Sequence, residues 1–439
     1  MADETKESQG IDWRRTFAFL EITRSFRIAI HPASLFLCFL GLAATFGLGV
    51  LLDQIPGLGG TEIHGKSFFG NVNHIATLTL WGNWAVPGID GKTWGDCFAF
   101  LLAPVAAFWE GVTLMWAYWH TGGAATWFAL VYTVLALAIW AVIGGAVTRM
   151  AAVRIAREES VPLKKAVGFA LRKWPSTVTS PLIPFGVLVL LAVLVGAPTG
   201  LFLMIPYVGE WVVGVLFFLT LLAGLGLALI FVGGTFSLAL QWPTIAAEGS
   251  DSFDAISRSV SYISSRPWKY IFYTLFATVY GCLTFVFVKF LTFLTLRLTH
   301  EAVGTFTWRA DSQVLDKLTR LWNVPHLYNV WPEAGVEPPP WDVSNSEVGA
   351  SYLLIFWVFM VLGVAIAFLV SFCLTSQTVI YFLLRKAVDA TDIEEVYTEE
   401  SDEEDLPLEH KVEGAAPSAE QAGGKPAEAP PPPPSETAT

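Results

Sequence analysis

The run GEWVVGVLFFLTLLAGLGLALIFVGGTFS, residues 209–237, carries a single ionisable side chain, Glu210, next to its first residue. A helix rises about 1.5 Å per residue and the hydrocarbon core of a bilayer is about 30 Å thick, so some 20 apolar residues suffice to cross it. In lipid the backbone has no water to bond to, and a helix satisfies its own amides. This stretch therefore predicts a membrane-spanning helix. Runs of the same character occupy 33–53, 125–148, 180–203, 269–296 and 349–384. The whole chain is 54% hydrophobic and only 15% charged, whereas soluble domains are about a quarter charged. The expected fold class is an all-α integral membrane protein with six transmembrane helices.

Charge gives the direction. The net charge of −12 belongs to the tail: from Ala387 onward there are 15 acidic and 2 basic side chains, which leaves the preceding residues at +1. Segments 1–32, 149–179, 238–269 and 385–386 together hold 17 Lys and Arg, against six in 54–124, 204–210 and 297–348. Basic loops stay in the cytoplasm. Both termini are therefore expected there, in the plasma (inner) membrane. This requires that the apolar stretch 97–120, which contains Pro104 and Glu110, does not cross. It is expected as an interfacial or re-entrant element, with Trp94, Trp109, Trp116 and Trp119 at headgroup depth. The first ten residues are polar and predict no cleaved signal. The chain then divides into a cytoplasmic N-terminus (1–32), a membrane domain (33–386) with external loops 54–124 and 297–348, and a cytoplasmic tail (387–439). The tail is acidic and then Ala/Pro/Glu-rich, ending in Pro430–Pro434, and such composition predicts disorder.

An internal repeat organises the membrane domain. Phe19-x-x-Ile22-Thr23-Arg24-Ser25-Phe26 and Phe253-x-x-Ile256-Ser257-Arg258-Ser259-Val260 share one spacing shortly before a span. Ile155-Ala156-x-Glu158-x-Ser160 matches Ile245-Ala246-x-Glu248-x-Ser250, and Leu163, Val167, Leu171 and Trp174 then supply a third apolar face. Each copy ends at a proline: Pro32, Pro175 or Pro267. The pattern predicts three units, each an amphipathic elbow (16–30, 162–174, 252–264) followed by a helix pair. Such elbows lie in the headgroup plane with their cations toward phosphates. Arg24, Arg27, Lys164, Lys165, Arg172 and Arg258 are the candidate lipid-headgroup contacts. The stretch Glu248-Gly249-Ser250 … Phe253-Asp254-Ala255-Ile256-Ser257-Arg258-Ser259 … Arg266-Pro267-Trp268-Lys269-Tyr270 resembles bacterial multi-pass proteins similar to the membrane domain fused to some glycerophosphodiester phosphodiesterases. That resemblance implies a membrane-embedded domain and carries no catalytic residue, since the activity of those fusions lies in a separate barrel.

Chemistry-bearing residues are sparse. Gly60-Thr61-Glu62-Ile63-His64-Gly65-Lys66-Ser67 fits the phosphate-cradling G-x-x-x-x-G-K-[ST]. A spanning helix precedes it where the mechanism needs a buried strand, so it is read as a chance match. His64, His74, Asp90, Asp96, Glu110 and His120 share an external loop without metal-ligand spacing. Cys38, Cys97, Cys282 and Cys373 lie far apart, which points to neither a disulfide framework nor a zinc site. Glu210 is expected at the interface, and Lys289 near the outer end of its span, where it can snorkel. Gly144, Gly145, Gly224, Gly226, Gly233 and Gly234 are expected to permit close helix packing. In the second external loop, Val314, Leu318, Leu321 and Trp322 predict a short surface helix. No catalytic, cofactor or metal residue is assigned, and no nucleic-acid partner is expected. The leading expectation is a non-enzymatic scaffold or lipid-associated protein. Its partners would be membrane lipids and a cytoplasmic protein that reads the acidic, proline-rich tail. The alternatives are a permease or channel, and a membrane enzyme acting on lipid headgroups.

Overall fold

The structure is a computed structural model, described here for residues 18–58, 60–81, 101–306, 317–326, 330 and 345–397. The tail from residue 398, together with Asp90, Trp94, Asp96, Cys97 and Val314, lies outside the described residues. Met1–Val396 form one compact unit. Among the described residues it is all-α.

Six helices are long and apolar enough to cross a membrane. They are α2 (Pro32–Asp53), α5 (Ala124–Arg157), α7 (Trp174–Leu203), α8 (Val208–Glu248), α10 (Pro267–Phe306) and α12 (Asn345–Asp389). Before α2, α7 and α10 come the short helices α1 (Arg24–Ala29, continuing a 3₁₀ turn Ala18–Thr23), α6 (Leu163–Arg172) and α9 (Ser252–Ser265). The smaller helices α3 (Phe68–Ile75), α4 (Ala103–Thr121) and α11 (Lys317–Leu321) fill the connections. Within each unit the two long helices pack together: α2 on α5, α7 on α8, α10 on α12. The units thus repeat as short helix, proline, long helix, long helix. Proline suits the first turn, where its missing N–H would be unbonded in any case.

The helices run beyond the apolar stretches of the sequence. At about 1.5 Å per residue, the 41 residues of α8 and the 45 of α12 reach about 60 Å or more, twice the hydrocarbon thickness. Hydropathy marks where lipid would end, whereas a helix stops only at a cap. All three second helices stop alike, at a left-handed residue: Glu158 (φ 58°), Gly249 (φ 65°) and Ala390 (φ 55°).

The elbow end, where α1, α6 and α9 lie, carries most of the burial. From Ala365 to Leu384, α12 is buried on nearly every side. It touches α1, α2, α5, α8, α9 and α10, which makes it the central helix. Small residues permit the tightest approaches: a Cβ on Gly144 would lie 2.3 Å from the Trp242 ring, and one on Gly281 2.5 Å from Phe372. Three expectations about packing are corrected. Gly224, Gly226 and Gly233 have nothing within 4 Å of a would-be Cβ, and no residue in the most apolar stretch of α8 is buried. Away from the elbow end, the α7–α8 hairpin leaves the bundle. Lys289 does not snorkel: it is 1% exposed, with its ammonium 5.7 Å from the Trp81 ring centroid. Trp322 and Leu318 of the expected surface helix are buried beside α10 and α12.

The stretch around 97–120 is not among the six long apolar helices. Its helix α4 turns back through Gly122 and Gly123, both at positive φ, and packs Leu114 and Tyr118 against Phe128 of α5. Trp109 and Trp116 face outward. The chance phosphate-loop match is a tight turn in which Ile63 and Lys66 exchange backbone bonds across His64 and Gly65, and Ser67 caps α3 by accepting from the Gly70 amide. Among the described residues, a long helix and not a buried strand stands before it.

Candidate functional site

Side-chain chemistry gathers at the elbow end. Glu248, the last residue of α8, lies between two arginines. Arg258 of α9 approaches one carboxylate oxygen at 2.6 Å, and Arg385 of α12 approaches the other at 3.6 Å. The Tyr381 hydroxyl donates to Glu248, and the Tyr262 hydroxyl donates to Asp389 at 2.5 Å. The Arg258 Nε–H is also shared between the two carboxylate oxygens of Asp254, one turn earlier on α9. Burial first, and then the Asp389 and Glu248 carboxylates, hold the Tyr262 phenol well above the usual tyrosine range. Asp254 and then Glu248 keep Arg258 firmly charged against its partial burial. Charged groups on α8, α9 and α12 are therefore knitted into one ion-paired cluster.

Arg24, which occupies the place of Arg258 in the first repeat, behaves the same way. It bonds Glu21 at 3.1 Å and Glu158 at 2.6 Å. Glu158 is the residue that the repeat aligns with Glu248. Two of the candidate headgroup cations thus engage carboxylates of the chain itself. The serines that follow them, Ser25 and Ser259, are both fully buried.

The second elbow is built differently. Its buried face is Ala166, Phe169 and Ala170, with Ala170 against Gly145 of α5. It is tied down through backbone carbonyls: Lys173 donates to the Gly249 carbonyl and Trp174 to Ala138. Arg149, only 7% exposed, donates to the Ala246 carbonyl at 2.8 Å and stacks over Phe169 at 4.5 Å. Cations at the unbonded carbonyls of a helix C-terminus, here that of α8, meet the negative end of its dipole. Lys164 and Lys165 are exposed, and neither has a polar partner among the described residues; Arg172 is also exposed. Arg27 is exposed on the first elbow.

No protein-family model, curated protein or solved structure matches this chain.

Sequence reasoning missed the tyrosines and the central position of α12. Tyr262 and Tyr381 stand in stretches where an aromatic residue needs no special reason, and only the shared Glu158/Glu248 spacing hinted at the ion pairs. The loop residues His64, His74, Glu110 and His120 do not assemble, since no group of three or more His, Cys, Asp or Glu among the described residues could hold a metal. Cys38 and Cys282 are buried free thiols, and Cys373 is a free thiol with an exposed edge.

Proposed function

We propose that this chain is a non-enzymatic, lipid-associated membrane scaffold whose three elbows rest on the cytoplasmic leaflet. One observation carries the reading: at the elbow end, exposed cations stand next to exposed large apolar side chains. Leu171 and Trp174 accompany Lys164, Lys165 and Arg172, while Trp268, which is 82% exposed, sits between Arg266 and Lys269. Aromatic and aliphatic groups beside Lys and Arg match headgroup depth, where the stem or ring is apolar and the charge meets phosphate. The excess of Lys and Arg in the elbow-bearing segments supports a cytoplasmic location for this end and for both termini. The acidic, proline-rich tail would there be offered to a partner protein. The likeness of residues 245–270 to membrane domains of the phosphodiesterase fusions leads to the same class, a membrane-embedded domain without catalytic residues.

A second reading, a permease, draws on Lys289. It shares one buried face of α10 with Thr292 and His300, and ionisable groups at membrane depth commonly mark a pathway. The test that separates the two is native mass spectrometry combined with solute uptake in proteoliposomes. A scaffold retains anionic lipids through detergent extraction and leaves uptake at background. Uptake abolished by Lys289→Met would replace the scaffold with the permease.

A further inference from the structure

We infer that the three elbows divide their labour: the second presents an anionic-lipid ledge on its own helix, whereas in the first and third the repeat arginines Arg24 and Arg258 are latches that hold the bundle. The inference rests on the lipid-associated reading and assigns its site. Net charge separates the elbows first. Residues 162–174 carry four bases and no acid; 16–30 carry two bases and one acid; 252–264 carry one of each. Geometry separates them again. Arg24 is held by Glu21 and Glu158, and Arg258 by Glu248 and Asp254. A lipid phosphate reaching either arginine would have to compete with carboxylates already in place.

Lys164 and Lys165 meet no such competitor among the described residues. They are adjacent and exposed, on a helix whose opposite face is fixed by Ala166, Phe169 and Ala170. Seating that helix costs the two ammonium groups nothing, because Lys173 and Trp174 anchor it to backbone carbonyls. Leu171, 57% exposed, lies about two turns along and supplies apolar contact with acyl chains. A preformed cationic ledge beside an apolar edge fits the phosphodiester of an anionic phospholipid.

The test uses the full chain reconstituted in mixed phosphatidylglycerol and phosphatidylcholine vesicles, with spin-labelled versions of each lipid reporting preference for the protein. Changing Lys164→Gln and Lys165→Gln together should lower the preference for phosphatidylglycerol, by up to about fivefold per lysine. Arg24→Gln and Arg258→Gln should leave that preference in place and instead lower the resistance of the bundle to unfolding, measured in the same samples. Loss of preference in the arginine variants with none in the lysine variant overturns the division. So does carbodiimide coupling of Lys164 or Lys165 to tail carboxylates in the full chain, which would make the tail the occupant of the ledge. A wild-type protein that shows no preference for phosphatidylglycerol overturns the lipid-associated reading itself.

Discussion

Glu248 illustrates how a single side chain can join three helices. Its carboxylate serves Arg258, Arg385 and Tyr381 at once, and both it and Arg385 are largely buried. Removing one partner of a buried ion pair leaves the other charge uncompensated, a loss of about 3–5 kcal/mol when burial is complete. Arg258 is nearly half exposed, so solvent screens its share. Glu248→Ala is expected to destabilise by about 2 kcal/mol, and Tyr381→Phe, which removes one hydrogen bond, by about 1 kcal/mol. Reversible unfolding in mixed micelles measures both; equal, negligible losses would mean that the cluster does not hold the bundle. His31, just before α2, reports on acid. Burial and then the nearby Arg154 hold its imidazole below the ordinary value of 6.5. Because the unfolded chain binds the proton more readily, stability is full above pH 6.5 and falls as the pH drops from there toward the folded value. The wild type should therefore lose more stability than His31→Gln between neutral pH and pH 5.5. An equal loss would contradict the sign.

Helix ends and helix contacts obey rules that a single position can test. The Trp242 ring lies where a Cβ of Gly144 would be, and the Trp242 indole donates to the Thr177 carbonyl. That carbonyl lies four residues before Pro181, which has no amide to offer it. The ring cannot move away without losing this bond. Gly144→Ala should therefore destabilise by about 1–3 kcal/mol, as overpacking does. Gly224→Ala, in open space on α8, should be neutral or slightly favourable, since alanine is the better helix former. The reverse order would place the tight contact on the wrong helix. At the end of α12, Ala390 adopts a left-handed conformation that costs a residue with a Cβ about 1–2 kcal/mol. Ala390→Gly is expected to stabilise by about 0.5–1 kcal/mol once the greater freedom of glycine in the unfolded chain is subtracted. A lower melting temperature for that variant would count against the cap.

Across the whole molecule, the elbows and the central helix depend on one another. Ser371 of α12 donates to the Ala29 carbonyl of the first elbow at 2.9 Å, Tyr280 of α10 donates to Thr23 at 3.3 Å, and Tyr262 of the third elbow meets Asp389. Elements hundreds of residues apart close around the same half of α12. The proposed orientation makes a direct prediction for the intact membrane. A thiol introduced at Gly122, which is exposed in the turn after α4, should react with an impermeant reagent from outside, and one at the exposed Ser160 should not. Labelling of Ser160 from outside would invert the topology and put the elbows on the other leaflet.

The six long apolar helices and the three proline-led elbows are legible in the sequence. Each depends on local facts: apolar run length against bilayer thickness, and residue spacing over a few turns. Which face of an elbow is buried, and which of its cations remains available, is not local. The spacing marks Arg24, Arg258 and the second-elbow lysines alike as headgroup contacts, because charge on one element says nothing about an acid brought up from another. Glu158 reaches Arg24 across 134 residues of chain, and Tyr381 reaches Glu248 across 133. Likewise Lys289 reads as a snorkelling residue near a span end, yet it is 1% exposed with the Trp81 ring over its ammonium. Hydropathy measures what a segment would do in lipid by itself. Only the tertiary structure decides which parts of each helix meet lipid and which meet another helix, because that depends on complementary surfaces far apart in the chain.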